Sequence, residues 1–127
     1  MMKFIKGQYA DYVKFNGEKF SNSPLALTIK ENECDYYLVY KDENMFSDVV
    51  VFPKENNLIN LNITLNIEEI FIGILEELKN YYSYLTFSFD ANNDKVLELV
   101  REKGNVVDEY TEKVYDEYNM TYIKVNL

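Results

Sequence analysis

The sequence predicts an α+β fold, a sandwich in which helices pack on the faces of a mixed, mainly antiparallel sheet. Two observations lead to this prediction. Apolar residues recur with a strand period in some segments and with a helix period in others, and the two kinds of segment alternate along the chain. The predicted order is a strand, a helical region, three strands, a helix, a strand, a helix and two final strands. At 127 residues, the chain is expected to form one domain over residues 1–127.

The N-terminal region has the weakest pattern. Residues 2–6 are a short apolar segment, which we predict as an edge strand. Apolar residues in segment 9–20 have weak helical spacing, and Gly17 interrupts it. Residues 25–29 suit either a helical turn or an extended segment. The conformation of residues 7–35 therefore stays open at this level.

The middle of the chain predicts three strands. Residues 36–41 and 45–52 are rich in β-forming side chains, and Asp42-Glu43-Asn44 between them indicates a hairpin. Residues 58–67 (LINLNITLNI) alternate strictly between apolar and polar. This segment is predicted to be a strand with one apolar and one amide-lined face, the latter formed by Asn60, Asn62, Thr64 and Asn66.

A helix is predicted to follow over residues 67–82. Its apolar residues recur every three or four positions, and Asn66 is a suitable N-cap. Residues 85–89 then form a further strand.

The last third of the chain has the clearest signals. Asn92 or Asn93 is expected to cap a helix that ends at Lys103, and Gly104 to adopt the left-handed conformation just after it. Two strands follow and are predicted to form a hairpin that turns near residues 116–119.

Composition limits the classes of partner. The formal charge is −9, and it is concentrated in the second half. Residues 1–60 carry 9 acids and 7 bases, whereas residues 61–127 carry 13 acids and 6 bases. An acidic surface repels phosphate backbones and anionic lipids, so nucleic acid and membrane are not expected as partners. The absence of a long apolar run and of a signal-peptide pattern predicts a cytoplasmic protein.

Few catalytic groups are available. The chain has no histidine, which removes the commonest general base and metal ligand, and no metal-ligand spacing stands out. Cys34 lies between two acidic residues, which disfavours a reactive thiolate. The carboxylates of Glu33, Asp35 and Asp48 lie near the central strands and would serve as bases only if they are buried.

Residues 88–104 (SFDANNDKVLELVREKG) resemble the C-terminal half of the GNAT acetyltransferase superfamily, in which a strand leads into an Asn-started helix. The predicted order of elements is also that of the GNAT fold along nearly the whole chain, while similarity of motifs is limited to residues 66–104. The resemblance implies acetyl-CoA as the cofactor.

The resemblance places the coenzyme pyrophosphate loop at residues 68–73. Only Gly73 matches the glycine-rich pattern of the family; Glu68 and Phe71 replace residues that would favour phosphate. We therefore expect a degenerate loop. Beside it, the amide-lined face of the predicted fourth strand would accept the coenzyme arm through Asn60, Asn62 and Thr64, together with Asn93 at the start of the last helix.

The usual general acid of the family, a tyrosine four residues before the glycine, is Val100 in this chain. Tyr110, Tyr115 and Tyr118 are the candidates for a relocated acid.

Two functions are consistent with these features. The first is a divergent acetyltransferase that moves an acetyl group from acetyl-CoA to a small-molecule amine or a basic protein. The second is a non-catalytic GNAT-like interaction or regulatory module whose acidic surface binds a basic partner. The sequence leaves the oligomeric state open.

Overall fold

The computed structural model describes residues 2–61 and 67–127. The strands are β1 (Met2–Lys6), β2 (Asp35–Lys41), β3 (Asn44–Phe52), β4 (Leu58–Leu61), β5 (Tyr84–Asp90), β6 (Asn105–Tyr115) and β7 (Tyr118–Asn126). The helices are α1 (Tyr9–Asn16), α2 (Pro24–Lys30), α3 (Ile67–Glu77) and α4 (Asp94–Lys103). This is the element order that the sequence predicts, with α1 and α2 as the helical region between β1 and β2.

The strands form one sheet in the order β1-β2-β3-β4-β5-β7-β6. All neighbouring strands are antiparallel except β4 and β5, which are parallel. The sheet is therefore mixed and mainly antiparallel, as the sequence predicts. Among the described residues, no helix is long and apolar enough to cross a membrane.

Each face of the sheet has its own apolar core. Helices α3 and α4 cover one face, where Phe71, Ile74 and Leu97 pack against Phe87 and Val51. Helices α1 and α2 cover the other face over β2 and β3, where Tyr12 and Ile29 pack against Tyr36 and Val50. Alternation along each strand produces this arrangement, because successive side chains point to opposite faces.

Local signals explain α1 and α2, which the sequence left open. Gly17 ends α1 with φ of 103°, a backbone conformation that suits glycine. Ser23 caps α2 through a hydrogen bond of 3.1 Å from the Ala26 N–H, and Pro24 occupies the first helical position. Residues 25–29 are therefore helical.

Two expectations about the later elements need correction, and a third is tested only in part. Helix α3 ends at Glu77 and continues as a 3-10 turn, Leu78–Asn80, so it does not reach residue 82. Gly104 has φ of −96°, an extended conformation. Glycine is required there because a Cβ would lie 2.8 Å from the Val100 carbonyl oxygen and 3.1 Å from Val125. Of the predicted strand over residues 58–67, β4 covers the first four; residues 62–66 lie outside the described residues.

Replacing Gly7 with Ala is expected to destabilise the protein by about 1–3 kcal/mol, since overpacking costs about that much. A Cβ at Gly7 would lie 2.8 Å and 2.9 Å from two atoms of the Tyr36 ring, which is buried. Gly73→Ala is the control: its new methyl would meet the flexible end of Met2 at 3.1 Å, in the middle of a helix that favours Ala. Urea unfolding of both variants checks this, and an equal loss of stability in the two would contradict it.

Candidate functional site

The sheet opens between its parallel strands. Within the described residues, β4 and β5 pair at two positions, Leu58 with Thr86 and Ile59 with Phe87. β4 continues to Leu61, and β5 continues to Asp90. Beyond the second pair, a cavity of about 380 Å³ lies between the strands and the two helices α3 and α4. We call it the strand-gap cavity.

The strand-gap cavity combines strand backbone with a helix N-terminus. Its lining consists of Ile59, Asn60, Leu61, Ile67, Ser88, Phe89, Asn93 and Val96. Asn93 caps α4, accepting a hydrogen bond of 3.4 Å from the Val96 N–H. Ser88 carries the one hydroxyl group among these described lining residues.

A second cavity, of about 440 Å³, lies on the opposite face beneath α1 and α2. Its lining consists of Tyr12, Asn16, Phe20, Leu25, Asp48, Val50, Asn60 and Leu61. We call it the Asp48 cavity, because Asp48 is the one charged residue among these described lining residues. Its walls are otherwise aromatic, aliphatic or amide, as is common in small-molecule sites.

Asp48 is held in a fixed orientation. The residue is only 3% exposed. Its Oδ2 accepts hydrogen bonds from the Tyr36 hydroxyl at 2.8 Å and from Asn16 Nδ2 at 2.9 Å. Burial, followed by the Asp48 charge, raises the pKa of Tyr36 well above its usual value. The hydroxyl therefore stays protonated and donates a hydrogen bond to Asp48. A fixed, buried carboxylate of this kind can hold a cation or accept a proton.

The two cavities share lining residues at the end of β4. Asn60 and Leu61 line both of them, one cavity lying on each side of the sheet. The opening between β4 and β5 therefore places a strand-lined cavity beside one that contains a buried carboxylate. Such an arrangement brings two bound molecules together across a sheet.

The predicted coenzyme-binding residues have different positions. Asn60 and Asn93 both line the strand-gap cavity. Asn62 and Thr64 lie outside the described residues. Gly73 is buried inside α3, where it allows close packing against Met2 and Phe4. Its role in coenzyme binding stays a prediction.

The segment assigned to the pyrophosphate loop is also corrected, because residues 68–73 lie within helix α3. Phe71 is fully buried and contacts Phe87 edge-on, with ring centroids 5.1 Å apart. Glu69 pairs with Lys41 at 2.8 Å. The apolar period of the segment, which buries one helix face, explains why it is helical.

The candidate tyrosines are absent from the lining of both cavities. Tyr110 stacks on Tyr122 with a centroid separation of 5.0 Å and lines a separate 240 Å³ cavity. Tyr115 stacks on Tyr118 at 5.2 Å near the β6–β7 turn, and its side chain is largely exposed. All three rings are thus held in place by stacking on other tyrosines at the surface of the sheet.

The remaining predicted groups differ in their suitability as bases. Glu33 is exposed. Burial would raise the pKa of Asp35, but hydrogen bonds from Lys6 and Tyr82 outweigh this effect and hold the pKa below its usual value, which makes Asp35 a weak base. Burial and then Asp35 raise the pKa of the Cys34 thiol to about 11, so a thiolate is disfavoured as expected. Asp48 is the one of the three carboxylates that is both buried and beside a cavity.

Sequence reasoning missed Asn16, Tyr36 and Ser88. The available signal was the position of Asp48 in the run MFSDVVVF, where a charged residue interrupts a buried strand. Its hydrogen-bond partners are distant in the sequence: Tyr36 belongs to β2, and Asn16 belongs to α1, 32 residues earlier. No local pattern reveals them.

No protein-family model and no curated protein matches this sequence. The fold is nevertheless similar to several solved structures. An N-acetyltransferase from Staphylococcus aureus Mu50 is 15% identical, with a TM-score of 0.62 over 99% of this chain and 97% of that one. A GNAT acetyltransferase from Bacillus cereus ATCC 10987 is 12% identical, with a TM-score of 0.67 over 99% of this chain and 97% of that one.

A third structure contains a bound coenzyme. It is a GNAT family acetyltransferase from Elizabethkingia anophelis with acetyl-CoA bound, 12% identical, with a TM-score of 0.62 over 99% of this chain and 98% of that one. At these identities the likeness concerns the fold. The parallel pair inside an otherwise antiparallel sheet and the flanking helices are thus those of the GNAT acetyltransferase fold, which this chain has along nearly its whole length.

Proposed function

We propose that this protein transfers an acyl group from a coenzyme A thioester to a primary amine. The observation that carries the proposal is that Asn60 and Leu61 line both the strand-gap cavity and the Asp48 cavity. The thioester would occupy the first cavity and the amine the second. The similarity in fold to a GNAT acetyltransferase with acetyl-CoA bound supports the choice of donor.

The strand-gap cavity suits the acyl end of the coenzyme. Within the described residues, β4 and β5 pair at only two positions, which leaves strand backbone beside the cavity for an arm rich in amide groups. The N-terminus of α4 with Asn93 adds donors at its far side. When bound, the coenzyme supplies an activated acyl group; Asn60, Ser88 and Asn93 would hold it.

Asp48 is the proposed general base. An amine arrives as an ammonium ion at neutral pH and must lose a proton before its nitrogen lone pair can attack a carbonyl carbon. The carboxylate of Asp48 would accept that proton, while Tyr36 and Asn16 keep it oriented. The carbon–nitrogen bond would then form as the carbon–sulfur bond breaks, and the attacking nitrogen would lose its second proton. Ser88, which lines the strand-gap cavity, is the candidate to relay that proton to the departing sulfur, so that its own hydroxyl ends protonated.

Calorimetric titration with acetyl-CoA tests the proposal first. We expect a dissociation constant in the micromolar range, on the order of −8 kcal/mol of binding free energy. Ser88→Phe would fill the strand-gap cavity and should weaken binding about tenfold or more. Tyr110→Phe is the matched control, because Tyr110 lines a different cavity, and it should leave binding unchanged.

The absence of detectable binding at millimolar coenzyme would refute the proposal. The alternative, a non-catalytic module for a basic partner, would then become the working hypothesis. Equal weakening by Ser88→Phe and Tyr110→Phe would instead show that the coenzyme does not occupy the strand gap.

A further inference from the structure

The Asp48 cavity contains a buried negative charge without a positive partner in the part of the chain that the structure describes. Asp48 receives only the two neutral hydrogen bonds from Tyr36 and Asn16, and no Lys or Arg pairs with it. Residues 62–66, outside the described ranges, include no Lys or Arg. An unpaired buried carboxylate is costly. A cation that enters the cavity would relieve that cost.

One oxygen of Asp48 is free to receive the cation. Both hydrogen bonds end on Oδ2. Oδ1 has no hydrogen-bond partner among the described residues. Every fully buried polar side-chain atom in that part of the chain has one, so Oδ1 is not fully buried. Because Asp48 lines the cavity, Oδ1 is the acceptor that a ligand meets there.

The rest of the lining restricts what the cation is attached to. Tyr12 and Phe20 provide aromatic walls, which attract organic cations and apolar rings alike. Leu25, Val50 and Leu61 provide aliphatic surface. The cavity has room for a compact ligand, about 440 Å³, beneath α1 and α2.

The charges of the lining discriminate between classes of amine. A polyamine would bring a second ammonium group, but the described lining has a single carboxylate. A free amino acid would bring a carboxylate, but the described lining has no Lys or Arg. Lys19 lies over the Phe20 ring at 5.1 Å without being a lining residue, so an amino acid remains the informative comparison.

We propose that the Asp48 cavity selects a compact primary monoamine, a single ammonium group on an apolar or aromatic body. As a statement about the acyl acceptor, this inference rests on the proposed function. It further assigns Asp48 the role of anchoring the ammonium group and Tyr12 and Phe20 the role of holding the body. Specificity then arises from the single carboxylate and the aromatic rings of the cavity. It also arises because the described lining has no second carboxylate and no basic side chain.

The test is calorimetric titration of the protein with four probes in the absence of coenzyme. The probes are 2-phenylethylamine, 2-phenylethanol, phenylalanine and spermidine. We expect 2-phenylethylamine to bind at least tenfold more tightly than each of the other three. The alcohol differs only in charge, phenylalanine adds a carboxylate, and spermidine adds cations and removes the ring.

Two variants make the test specific. Asp48→Asn keeps the shape and an acceptor for Tyr36 and Asn16, so it should remove most of the preference for the amine over the alcohol. Phe20→Ala, at a residue 43% exposed, should weaken both phenyl probes without unfolding the protein. Thermal unfolding of both variants verifies that they are folded.

Tighter binding of phenylalanine or spermidine than of 2-phenylethylamine, or an undiminished preference for the amine in Asp48→Asn, would overturn the inference. These outcomes are independent of the coenzyme titration. Amine selection without coenzyme binding would refute the transfer reaction alone, whereas coenzyme binding without amine selection would refute this inference alone.

Discussion

Replacing Asp48 with Asn is expected to lower kcat/KM for acyl transfer to an amine by about 100-fold or more, the usual contribution of a positioned general base. Asn retains a side-chain oxygen for the hydrogen bonds from Tyr36 and Asn16 but has no charge and accepts no proton. Initial rates over a range of amine concentrations, with acetyl-CoA as the donor, measure the effect.

Glu33→Gln is the matched control for this substitution. Glu33 was a sequence candidate for the same role, but its side chain is exposed and should not affect the rate. Stability separates chemistry from folding: removing an unpaired buried charge should leave the thermal midpoint of Asp48→Asn unchanged or raised. Full activity in Asp48→Asn would exclude Asp48 as the base.

Replacing Phe71 with Ala is expected to destabilise the protein by about 3–5 kcal/mol, the usual cost of a Phe-to-Ala change in a core. Phe71 lies on the buried face of α3 and is fully buried. It contacts Phe87 of β5, so the loss of its ring leaves a cavity between helix and sheet. Urea unfolding measures the change in the free energy of unfolding.

Phe15→Ala is the control, at a phenylalanine that is 40% exposed on α1, and it should cost about 1 kcal/mol or less. Similar stability in the two variants would mean that Phe71 is not a core residue. In that case residues 68–73 would again be candidates for a coenzyme-binding loop.

Much of the fold could be predicted because its signals are local. The β-forming side chains of β2 and β3, the turn chemistry at Asp42 and the cap at Asn93 each act within a few positions. Gly104 shows the limit of such reasoning. Its place after a helix suggested a left-handed cap, but β6 starts at the next residue, and proximity to Val125 requires glycine for a different reason.

The candidate site was less predictable because its parts come together through tertiary contacts. Counting along a family motif placed Phe71 in a loop, although the apolar period of the same residues predicts the buried helix face that is observed. Asp48 could be named from its sequence but not distinguished from Glu33 and Asp35. Its hydrogen bond from Asn16 comes from a helix elsewhere in the chain.

The two-position pairing of β4 with β5 has a consequence for motion. Within the described residues, it is the pairing that joins two antiparallel groups of strands in the sheet, β1 to β4 and β5 to β7. Local opening is expected where the fewest contacts hold segments together. We therefore expect the sheet to open first at this seam, which would shift Asn60 and Leu61 and so change the shape of both cavities at once.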